Sequence, residues 1–521
     1  MPKIMKTKHI ITILFVLMVS ANSCEKGFVE LNTNKYLPTS LNPNYQLADA
    51  CRQGVGDGYS VHIIQHMQTL IGGQSEGGNR NILNDANSSG FFNNTFSNRI
   101  ASLIDIIERY KNNPNFVNVV SAARIYKAFI MQLLVDVYGD VPYTEAGLGY
   151  LKNNFHPKYD NQEDIYTDLV KELTEATSLL DPDNDELTGD VFFNGDLGKW
   201  KKFANSVLLR IGMRYTKIDE AKAKDIVTTA VDPSRGGVIS SNDDNVIVKF
   251  NAIFTTNGTY NGSTRQDHFV GEPLVDFLKN NNDPRCQYLV CLYPHPGLID
   301  RGTPNTNPED QIGCPFGYTD GTVVNDPNFP GKVEGVFAYS QFNGETVVRV
   351  NSWQYLVTYS HTQLLLAEAR HRGYITTGTV KDYYEQGIKA NMTQVDMYVS
   401  EPGGISPITT AEQDAYLLEP EIAFDPERAL EQINTQYWVS CILNTTEGWA
   451  NFRRSGYPAL SPMDFPGEDP SVDEDTGGDG FIHRLPYPSR EKEVNSDNVQ
   501  AAITRMGGDN FGIRLFWDPK L

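Results

Sequence analysis

The sequence predicts a mainly α-helical protein in which one half is loop-rich and irregular. Apolar residues recur at helical spacing in both flanks of the chain. Residues 236–345 are instead rich in Gly, Asn, Pro, Thr and Asp, the residue types of turns and loops. Of the 521 residues, 40% are hydrophobic and 11% are aromatic, so the chain has enough apolar surface to build a core.

The N-terminus has the layout of an export signal. Three lysines precede an apolar run at residues 10–19, and small residues then lead to Cys24. The run is far shorter than the ~20 residues of a membrane-spanning helix, and we predict no later membrane span. We therefore expect residues 1–23 to be a lipoprotein signal peptide and Cys24 to carry the lipid. An ordinary cleaved secretory signal is the alternative.

Five helices are predicted in the first flank. Asn112-Asn113-Pro114 ends the first, and Gly139, a potential left-handed C-cap, follows the second. Asp160 is the predicted N-cap of the third, where Glu163 completes a capping box. The apolar periodicity places these helices at residues 100–107, 116–137, 165–180, 200–213 and 221–231.

The centre and the second flank differ in the same way. Only residues 274–278 have a helical pattern within the central stretch. Helices resume at 353–372 and 380–395, with Gly373 at the turn between them, and a last helical pair spans 426–454. Helix pairs with small residues and a turn glycine are typical of tetratricopeptide-type hairpins. The hairpins are degenerate, since no strict thirty-four-residue period is present.

Charge and cysteine content limit the function classes. Acidic residues outnumber basic ones by 65 to 44, for a net charge of −21. This balance argues against nucleic acid as a partner and against passive adhesion to anionic lipid. After Cys24 an odd number of cysteines is left, which is no disulfide framework. One disulfide among Cys286, Cys291 and Cys314, or buried free thiols, are both open.

No complete catalytic or metal-binding motif is present in the sequence. His62 and His66 lack the Glu that follows the first His of zinc proteases, so we expect two helix-surface histidines. Residues 181–192 and 473–484 imitate calcium loops but miss the final ligand, although calcium at the second stays open. No phosphate-binding loop or nucleophile elbow occurs. We expect no catalytic residue, cofactor or metal.

Several segments, taken together and in order, resemble a known family. The most recognisable is VDVYGDVPY at 135–143, and RRSGYP at 453–458 and RLPYP at 484–488 are further examples. The other matching segments lie at 28–34, 157–166, 195–206, 366–369 and 507–518. This pattern resembles the SusD/RagB-like outer-membrane lipoproteins over essentially the whole mature chain. Asn451 departs from it, because an acidic residue is expected before the arginine pair.

The resemblance implies a fold and a function. It implies a single SusD-like unit over 24–521, with helical scaffold at 24–235 and 352–521 and a ligand-facing insertion at 236–351. It also implies a lipid-anchored, surface-exposed outer-membrane protein that is not an enzyme. Such a protein captures an oligosaccharide or peptide and passes it, as a lid, to a SusC-like TonB-dependent transporter. A surface-anchored glycoside hydrolase and a structural or adhesive lipoprotein are the alternatives.

The candidate ligand site is a set of aromatic residues in the loop-rich half. They stand among Gly, Asn, Pro and Ser with no amphipathic period to bury them, so we expect exposed stacking platforms. The alternative is that they hold the long loops on the scaffold. The predicted ligand-binding residues are Tyr260, Tyr293, Tyr318, Tyr339 and Trp353. If these fail, the next candidates are Phe91, Phe92 and Phe96.

Other residues of the matching segments have a structural interpretation. Asp136 and Asp140 lie near a helix C-terminus, where negative charge is unfavourable, so we expect both to pair with arginines. Trp200 and Trp449 lie on apolar helical faces and are predicted to be core residues. Arg453 and Arg454 are predicted to form a buried ion-pair hub. These residues therefore predict stability and not ligand binding.

Overall fold

The structure is a computed structural model. Residues 1–23, Cys24 and Tyr260 lie outside its described residues, so the signal peptide, the lipid anchor and one predicted ligand-binding ring stay predictions. The described residues from Asn44 onward belong to one compact unit. The described residues are 41–70, 80–250, 268–295, 302–331, 338–349, 351–397, 406–463, 476 and 478–520.

The first flank is a succession of helices. A π-helical turn, Thr95–Ile100, leads into helix α5, Ala101–Tyr110, and a 3-10 turn, Pro114–Phe116, leads into helix α6, Val117–Tyr138. The longest helix is α6, which carries apolar residues on nearly every face. The α-helices are α1 Pro43–Cys51, α2 Ser60–Ile63, α3 Asp85–Ser88, α4 Gly90–Asn94, α5 Ala101–Tyr110, α6 Val117–Tyr138, α7 Gly149–Lys152, α8 Gln162–Leu179, α9 Leu197–Arg214 and α10 Glu220–Val231.

The predicted N-cap of α8 is wrong by one residue. Asn161, and not Asp160, accepts hydrogen bonds from the first free backbone N–H groups of the helix, including that of Glu163 at 2.8 Å. Asp160 lies in a short strand and accepts instead from the backbone N–H groups of Tyr143, at 3.2 Å, and Thr144, at 2.8 Å. Its carboxylate therefore closes the turn after the 135–143 segment.

Short strands occur in the described parts of the central segment, residues 236–351, and also in both flanks, and the central segment adds two short helices. Each strand is paired antiparallel with one partner, and Met67 opposite Val270 begins the first pairing. The strands are β1 Met67–Thr69 with β5 His268–Val270, β2 Val141–Pro142 with β3 Tyr159–Asp160, β4 Val246–Val248 with β8 Gln354–Val357, and β6 Val290–Cys291 with β7 Gln341–Phe342. The helices are α11 Glu272–Asn280 and α12 Cys286–Leu289.

Helices dominate again in the second flank. The predicted helix at 353–372 is wrong in its first part, where residues 354–357 pair as strand β8 with β4. The helix begins only after Thr358, whose side chain accepts from the backbone N–H of His361. The helices are α13 Tyr359–His371, α14 Val380–Met397, α15 Thr410–Tyr416, α16 Ala429–Ser440, α17 Thr445–Ser455, α18 Ser489–Val494 and α19 Ser496–Met506.

Consecutive helices pack as neighbours, as expected for degenerate helical hairpins. In the first flank, α6 packs against α5 and α8, and α9 packs against α8 and α10. In the second flank, α13 packs against α14 and α16, and α16 packs against α17. Contacts of α9 with α13 and of α6 with α17 join the two flanks around one large core.

Among the described residues, one helix has the length and apolarity of a membrane span. Residues 114–138 have a mean hydropathy of 1.2 over their most apolar window, and 83% of that window is buried inside the protein. Its side chains pack against four other helices. The apolarity of α6 is therefore that of a central core helix.

Gly139 ends α6 in a conformation that requires glycine. Its φ of +80° and ψ of −122° lie outside the left-handed helical region that we predicted. A Cβ atom at this position would lie 2.5 Å from the methyl carbon of Met506. The glycine therefore lets the chain turn sharply while α19 packs directly on the turn.

Candidate functional site

Aromatic residues of the central segment form a second, small core. Leu70, Phe269, Cys314, Val323 and Tyr339 are buried together, and two half-buried rings, Tyr318 and Phe329, pack against them. We call these seven residues the central apolar cluster. The β1–β5 pair brings Leu70 and Phe269 into it from distant parts of the chain. Two of the predicted ligand-binding residues, Tyr318 and Tyr339, therefore lie in one cluster.

Tyr339 is a core residue of this cluster. Its side chain is only 2% exposed. The ring contacts Phe269 with centroids 6.1 Å apart and Phe329 with centroids 6.2 Å apart. Burial, together with the nearby Cys314, raises the pKa of the Tyr339 hydroxyl. Tyr318 lies at the margin of the cluster and is more accessible than Tyr339.

Tyr293 and Trp353 lie away from the cluster. Tyr293 is 8% exposed, and its hydroxyl accepts a hydrogen bond of 2.9 Å from the backbone N–H of Gly344. Trp353 is half-buried against the main core, just before β8, and the Lys249 ammonium lies 5.1 Å from its ring centroid. This distance permits a cation–π contact.

The expected exposure of the predicted rings is wrong for Tyr293 and Tyr339. Both are buried, because a loop-rich segment still needs apolar side chains to hold it together. Tyr318 and Trp353 keep part of their surface open to solvent. The ligand-binding role of these residues, and of Tyr260, stays a prediction. The structure thus leaves two of the four described rings partly exposed.

A buried arginine fixes the central segment to the second helical flank. Arg285 forms an ion pair with Asp283, with the two atoms 2.6 Å apart, and both side chains are fully buried. The guanidinium also donates to Asn391 of α14 at 2.7 Å and to Gln436 of α16 at 2.9 Å. Burial alone would lower the pKa of Arg285, but the Asp283 carboxylate raises it. The charge therefore persists, and its hydrogen bonds fix this part of the central segment to α14 and α16.

Two carboxyl groups lie on helix α11 of the central segment. Glu272 and Asp276, one turn apart on α11, both have raised pKa values, chiefly because burial disfavours their charged forms. For Glu272 the neighbouring carboxylates of Asp276 and Asp326 add to this shift. Both side chains are exposed, and carboxyl groups of this kind can accept hydrogen bonds from ligand hydroxyl groups.

The 135–143 segment serves the scaffold. Asp136 pairs with Arg214 at 3.3 Å and also accepts a short hydrogen bond from the hydroxyl of Tyr166. Asp140 pairs with Arg505 at 2.5 Å. The prediction that both carboxylates pair with arginines is therefore confirmed. The Arg214 guanidinium also lies 2.8 Å from Glu447, so the network joins α6, α9 and α17.

The arginine pair in the last turn of α17 behaves as predicted in part. Arg454 pairs with Glu368 through two hydrogen bonds of 2.7 Å, and both side chains are buried. Asn451, at the position where an acidic residue was expected, accepts a further 2.7 Å hydrogen bond from Arg454. Arg453 instead donates to backbone carbonyls and stacks on Trp449, 3.8 Å from the ring centroid. Trp200 and Trp449 are both fully buried, as predicted.

The two histidines are buried and not on a helix surface. The helix α2 is a single turn that ends at Ile63, and His66 beyond it packs on the Trp438 ring with centroids 4.7 Å apart. His62 contacts the backbone carbonyl of Met67 at 2.8 Å. Burial lowers the pKa of each imidazole to about 3, so both are neutral.

The first imitation of a calcium loop caps a helix. The Asp185 carboxylate accepts from the backbone N–H groups of Asn118, at 2.7 Å, and Val119, at 3.1 Å, at the start of α6. In the second, residues 473 and 475 lie outside the described residues, and Asp479 contacts His483 and Arg514. Among the described residues, no group of three or more His, Cys, Asp or Glu side chains could hold a metal.

The cysteines and the reserve aromatic cluster are interior residues. Cys286, Cys291 and Cys314 are buried thiols in no disulfide, as are the other two described cysteines, so the thiol alternative is confirmed. Phe91 and Phe92 are buried. Both pack on the Tyr138 ring, and Phe92 also packs on the half-buried Phe96. This cluster supports the end of α6 and offers little ligand surface.

Sequence reasoning missed a pair of exposed rings. Tyr150 on α7 is 97% exposed and Phe155 is 60% exposed, and their ring centroids lie 5.9 Å apart with planes at 89°. Both stand in the polar stretch Tyr150-Leu151-Lys152-Asn153-Asn154-Phe155, outside any apolar period. Their isolation among polar residues is the sequence signal that indicates their exposure.

Comparison with known proteins is consistent with this fold. Residues 39–488 match the SusD-like family described as starch-binding and associating with the outer membrane. A chitin-binding protein is 31% identical, with a TM-score of 0.76, and the match covers 92% of this chain and 100% of that one. A Bacteroidetes SusD-like protein, AC2a, is 28% identical with a TM-score of 0.77 and the same coverage.

A more distant structure shows the fold alone. A chitin-binding SusD homologue from Flavobacterium johnsoniae is 23% identical, with a TM-score of 0.70, and the match covers 92% of this chain and 95% of that one. No curated protein matches the chain.

Proposed function

Because the chain belongs to the SusD-like family, we propose that it captures an oligosaccharide at the outer membrane and hands it to a transporter. The match over residues 39–488 carries this proposal, since it spans both helical flanks and the central segment. A structural relative covered over its full length, at 31% identity, is a chitin-binding protein. The ligand class is therefore a neutral saccharide, and a peptide is the competing outcome of the test.

The proposed transporter is a SusC-like TonB-dependent barrel, on which the protein acts as a lid. A lid must release its ligand, so its site needs modest affinity and an open approach. Tyr318 and Trp353 keep part of their rings accessible, which supports stacking of sugar faces on the central segment. The Arg285 contacts with α14 and α16 support a fixed geometry for this face.

The proposed location is the cell surface, with the mature N-terminus held by lipid on Cys24. The Lys-rich start, the apolar run and the small residues before Cys24 support lipidation. Cys24→Ser is expected to leave the fold intact and to move the protein out of the membrane fraction. If the variant stays membrane-bound in a strain without the transporter, the anchor lies elsewhere.

A pull-down from native membranes tests the partner. The tagged protein, solubilised in mild detergent, is expected to retain a TonB-dependent transporter, identified by mass spectrometry. A Cys24→Ser protein purified the same way is the control for a lipid-independent contact. Absence of any transporter from both samples would contradict the lid function and favour a structural lipoprotein.

A panel of purified glycans and peptides tests the ligand. Calorimetry is expected to show binding of a starch- or chitin-type oligosaccharide without cleavage of its bonds. Reducing-end assays on the same samples detect hydrolysis, and reproducible cleavage would identify a glycoside hydrolase instead. Binding of peptides alone would replace the saccharide as ligand and leave the transport function standing.

A further inference from the structure

The hairpin that joins β2 to β3 presents two aromatic rings to solvent within its residues 149–158. Tyr150 and Phe155, which we call the aromatic ledge, are 97% and 60% exposed. Large aromatic residues normally lose most of their surface in a fold, and a pair left open side by side marks a contact surface. The planes stand at 89°, so one ring supports the other edge-on and leaves a face open.

The hairpin that carries the ledge is held in one conformation. Glu145 accepts from the Asn154 side chain at 2.9 Å and from the Lys158 backbone N–H at 3.0 Å. These two hydrogen bonds lower the pKa of Glu145, so it is ionised at neutral pH. On the other side, Asn495 and Asn498 donate to backbone carbonyls of the hairpin at 2.8 Å and 3.1 Å. The ledge is therefore preorganised, which lowers the entropic cost of binding.

Gly149 lets Phe155 lie close to the hairpin backbone. A Cβ atom at position 149 would lie 3.2 Å from two carbons of the Phe155 ring, tighter than an ordinary contact. The glycine thus leaves room for the Phe155 ring, whose centroid lies 5.9 Å from that of Tyr150. Asn153, in a left-handed conformation, makes the turn between them.

The area of the ledge suits a small ligand. Two aromatic side chains at this exposure offer roughly 300 Å². A stable protein interface needs about 800 Å² from each partner. The exposed residues around the rings are polar, among them Asn153 and His156, which can hydrogen-bond to hydroxyl groups. The surface resembles a sugar-stacking platform more than a protein contact.

The charges near the ledge favour a neutral ligand. Lys152 pairs with Glu108 at 3.3 Å, and Lys158 pairs with Asp160 at 3.2 Å. The nearest cations are therefore already compensated. The net charge of −21 further disfavours an anionic ligand.

We propose that Tyr150 and Phe155 form a second carbohydrate-binding site, separate from the central segment, that stacks neutral oligosaccharides. The ligand class rests on the proposed function, whereas the location rests on the ledge itself. A second site of modest affinity would retain a polysaccharide near the protein between capture events, because two linked sites raise the effective concentration of the chain.

Hydroxyl-radical footprinting of the purified protein tests the site. Chitohexaose and maltohexaose, each at millimolar concentration, are the probes. We expect at least one to lower oxidation of Tyr150 and Phe155 several-fold. Tyr45, which is 68% exposed on α1, is the matched control and should be oxidised equally with and without sugar. Unchanged oxidation of both ledge rings with both probes would overturn the proposal.

Retention on insoluble chitin and starch granules gives an independent measurement. Tyr150→Ala is expected to weaken retention several-fold without changing the unfolding midpoint, because the side chain is almost fully exposed. Tyr150→Phe keeps the stacking face and should bind as the wild type does. Equal retention of all three proteins would contradict the ledge.

These outcomes separate the ledge from the proposed function. Protection of Tyr318 or Trp353 without protection of Tyr150 would support the capture site and overturn the ledge. Protection of Tyr150 in a protein that retains no transporter would support the ledge and contradict the lid function.

Discussion

In the helical flanks, charged side chains are buried deeply and paired, whereas the described part of the central segment buries aromatic rings around a small second core. Glu368 and Arg454 show the first pattern, with both side chains at 1% exposure or less. Tyr339 on Phe269 shows the second. Arg285 is the exception that joins the two regions, since it extends from the central segment to α14 and α16.

This difference shows that the segments that match the SusD-like family act in the helical scaffold. Asp136, Asp140 and Arg454 each form an ion pair with a residue of another helix in the scaffold, so these segments specify how helices assemble. A buried ion pair is geometrically demanding, because each charge must find its partner to offset desolvation. Apolar ring packing is more tolerant, which suits a region whose surface sets ligand preference.

The largest expected effect comes from breaking a buried pair in the scaffold. Glu368→Gln leaves the Arg454 charge without a carboxylate in the interior, and we expect a loss of about 3–5 kcal/mol in the free energy of unfolding. Urea denaturation followed by circular dichroism measures it. Glu431→Gln, which breaks a surface pair with Arg428, is the control and should cost less than about 1 kcal/mol. Equal losses would contradict the role of the buried pair.

Truncation of the central cluster should have a comparable cost but a local distribution. Tyr339→Ala removes a buried ring that contacts Phe269 and Phe329, and we expect about 3 kcal/mol of destabilisation. Hydrogen exchange should accelerate in residues 268–349 before it does in α6. Uniform acceleration across both regions would show that the cluster and the scaffold unfold as one unit.

Acid should weaken the scaffold through Glu368. Burial alone would raise the pKa of this carboxyl, but the Arg454 guanidinium lowers it from 4.5 to about 2. A carboxyl with a lowered pKa in the folded state stabilises the fold above its unfolded pKa. That contribution, about 3 kcal/mol, is lost as the pH falls from about 4.5 to about 2. Unfolding free energies of the wild type and Glu368→Gln should therefore converge in acid, and parallel curves would contradict this.

The smallest stability effect is expected at the accessible rings. Tyr318→Ala and Trp353→Ala should each cost about 1 kcal/mol, because the side chains are only half-buried. Calorimetry with the bound oligosaccharide should nevertheless show several-fold weaker binding. Tyr293→Phe, which removes a hydroxyl from a buried ring, is the control and should bind normally. If Tyr293→Phe weakens binding more than Tyr318→Ala and Trp353→Ala do, the ligand site lies outside this face.

Sequence patterns predicted the scaffold well because its information is local. The apolar period of 116–137 placed α6 to within a residue or two, and the unfavourable positions of Asp136 and Asp140 predicted arginine partners. The helix prediction for residues 354–357 was wrong because their strand exists only through pairing with β4, which lies far earlier in the chain. The helices α18 and α19 were not predicted, since they are short and polar.

The candidate site was harder to predict because burial in loops depends on distant residues. Tyr339 has no apolar period around it, yet Leu70 and Phe269 meet it from other parts of the chain. The opposite error affected Tyr150, whose exposure follows from a hairpin fixed by Glu145 and by residues of α19. The burial of Tyr339 is not encoded in its immediate neighbours, whereas the polar stretch around Tyr150 is a local signal of its exposure.

The five described cysteines are built-in probes of local unfolding in this protein. Cys286, Cys291 and Cys314 belong to the central segment, whereas Cys51 and Cys441 belong to the helical flanks, and all are buried. Burial raises the pKa of Cys286 to about 12 and that of Cys441 well above its usual range, so both resist oxidants while folded. Each thiol is expected to react only when its own region unfolds locally. The order in which the five thiols are alkylated would therefore show which region of the molecule unfolds first.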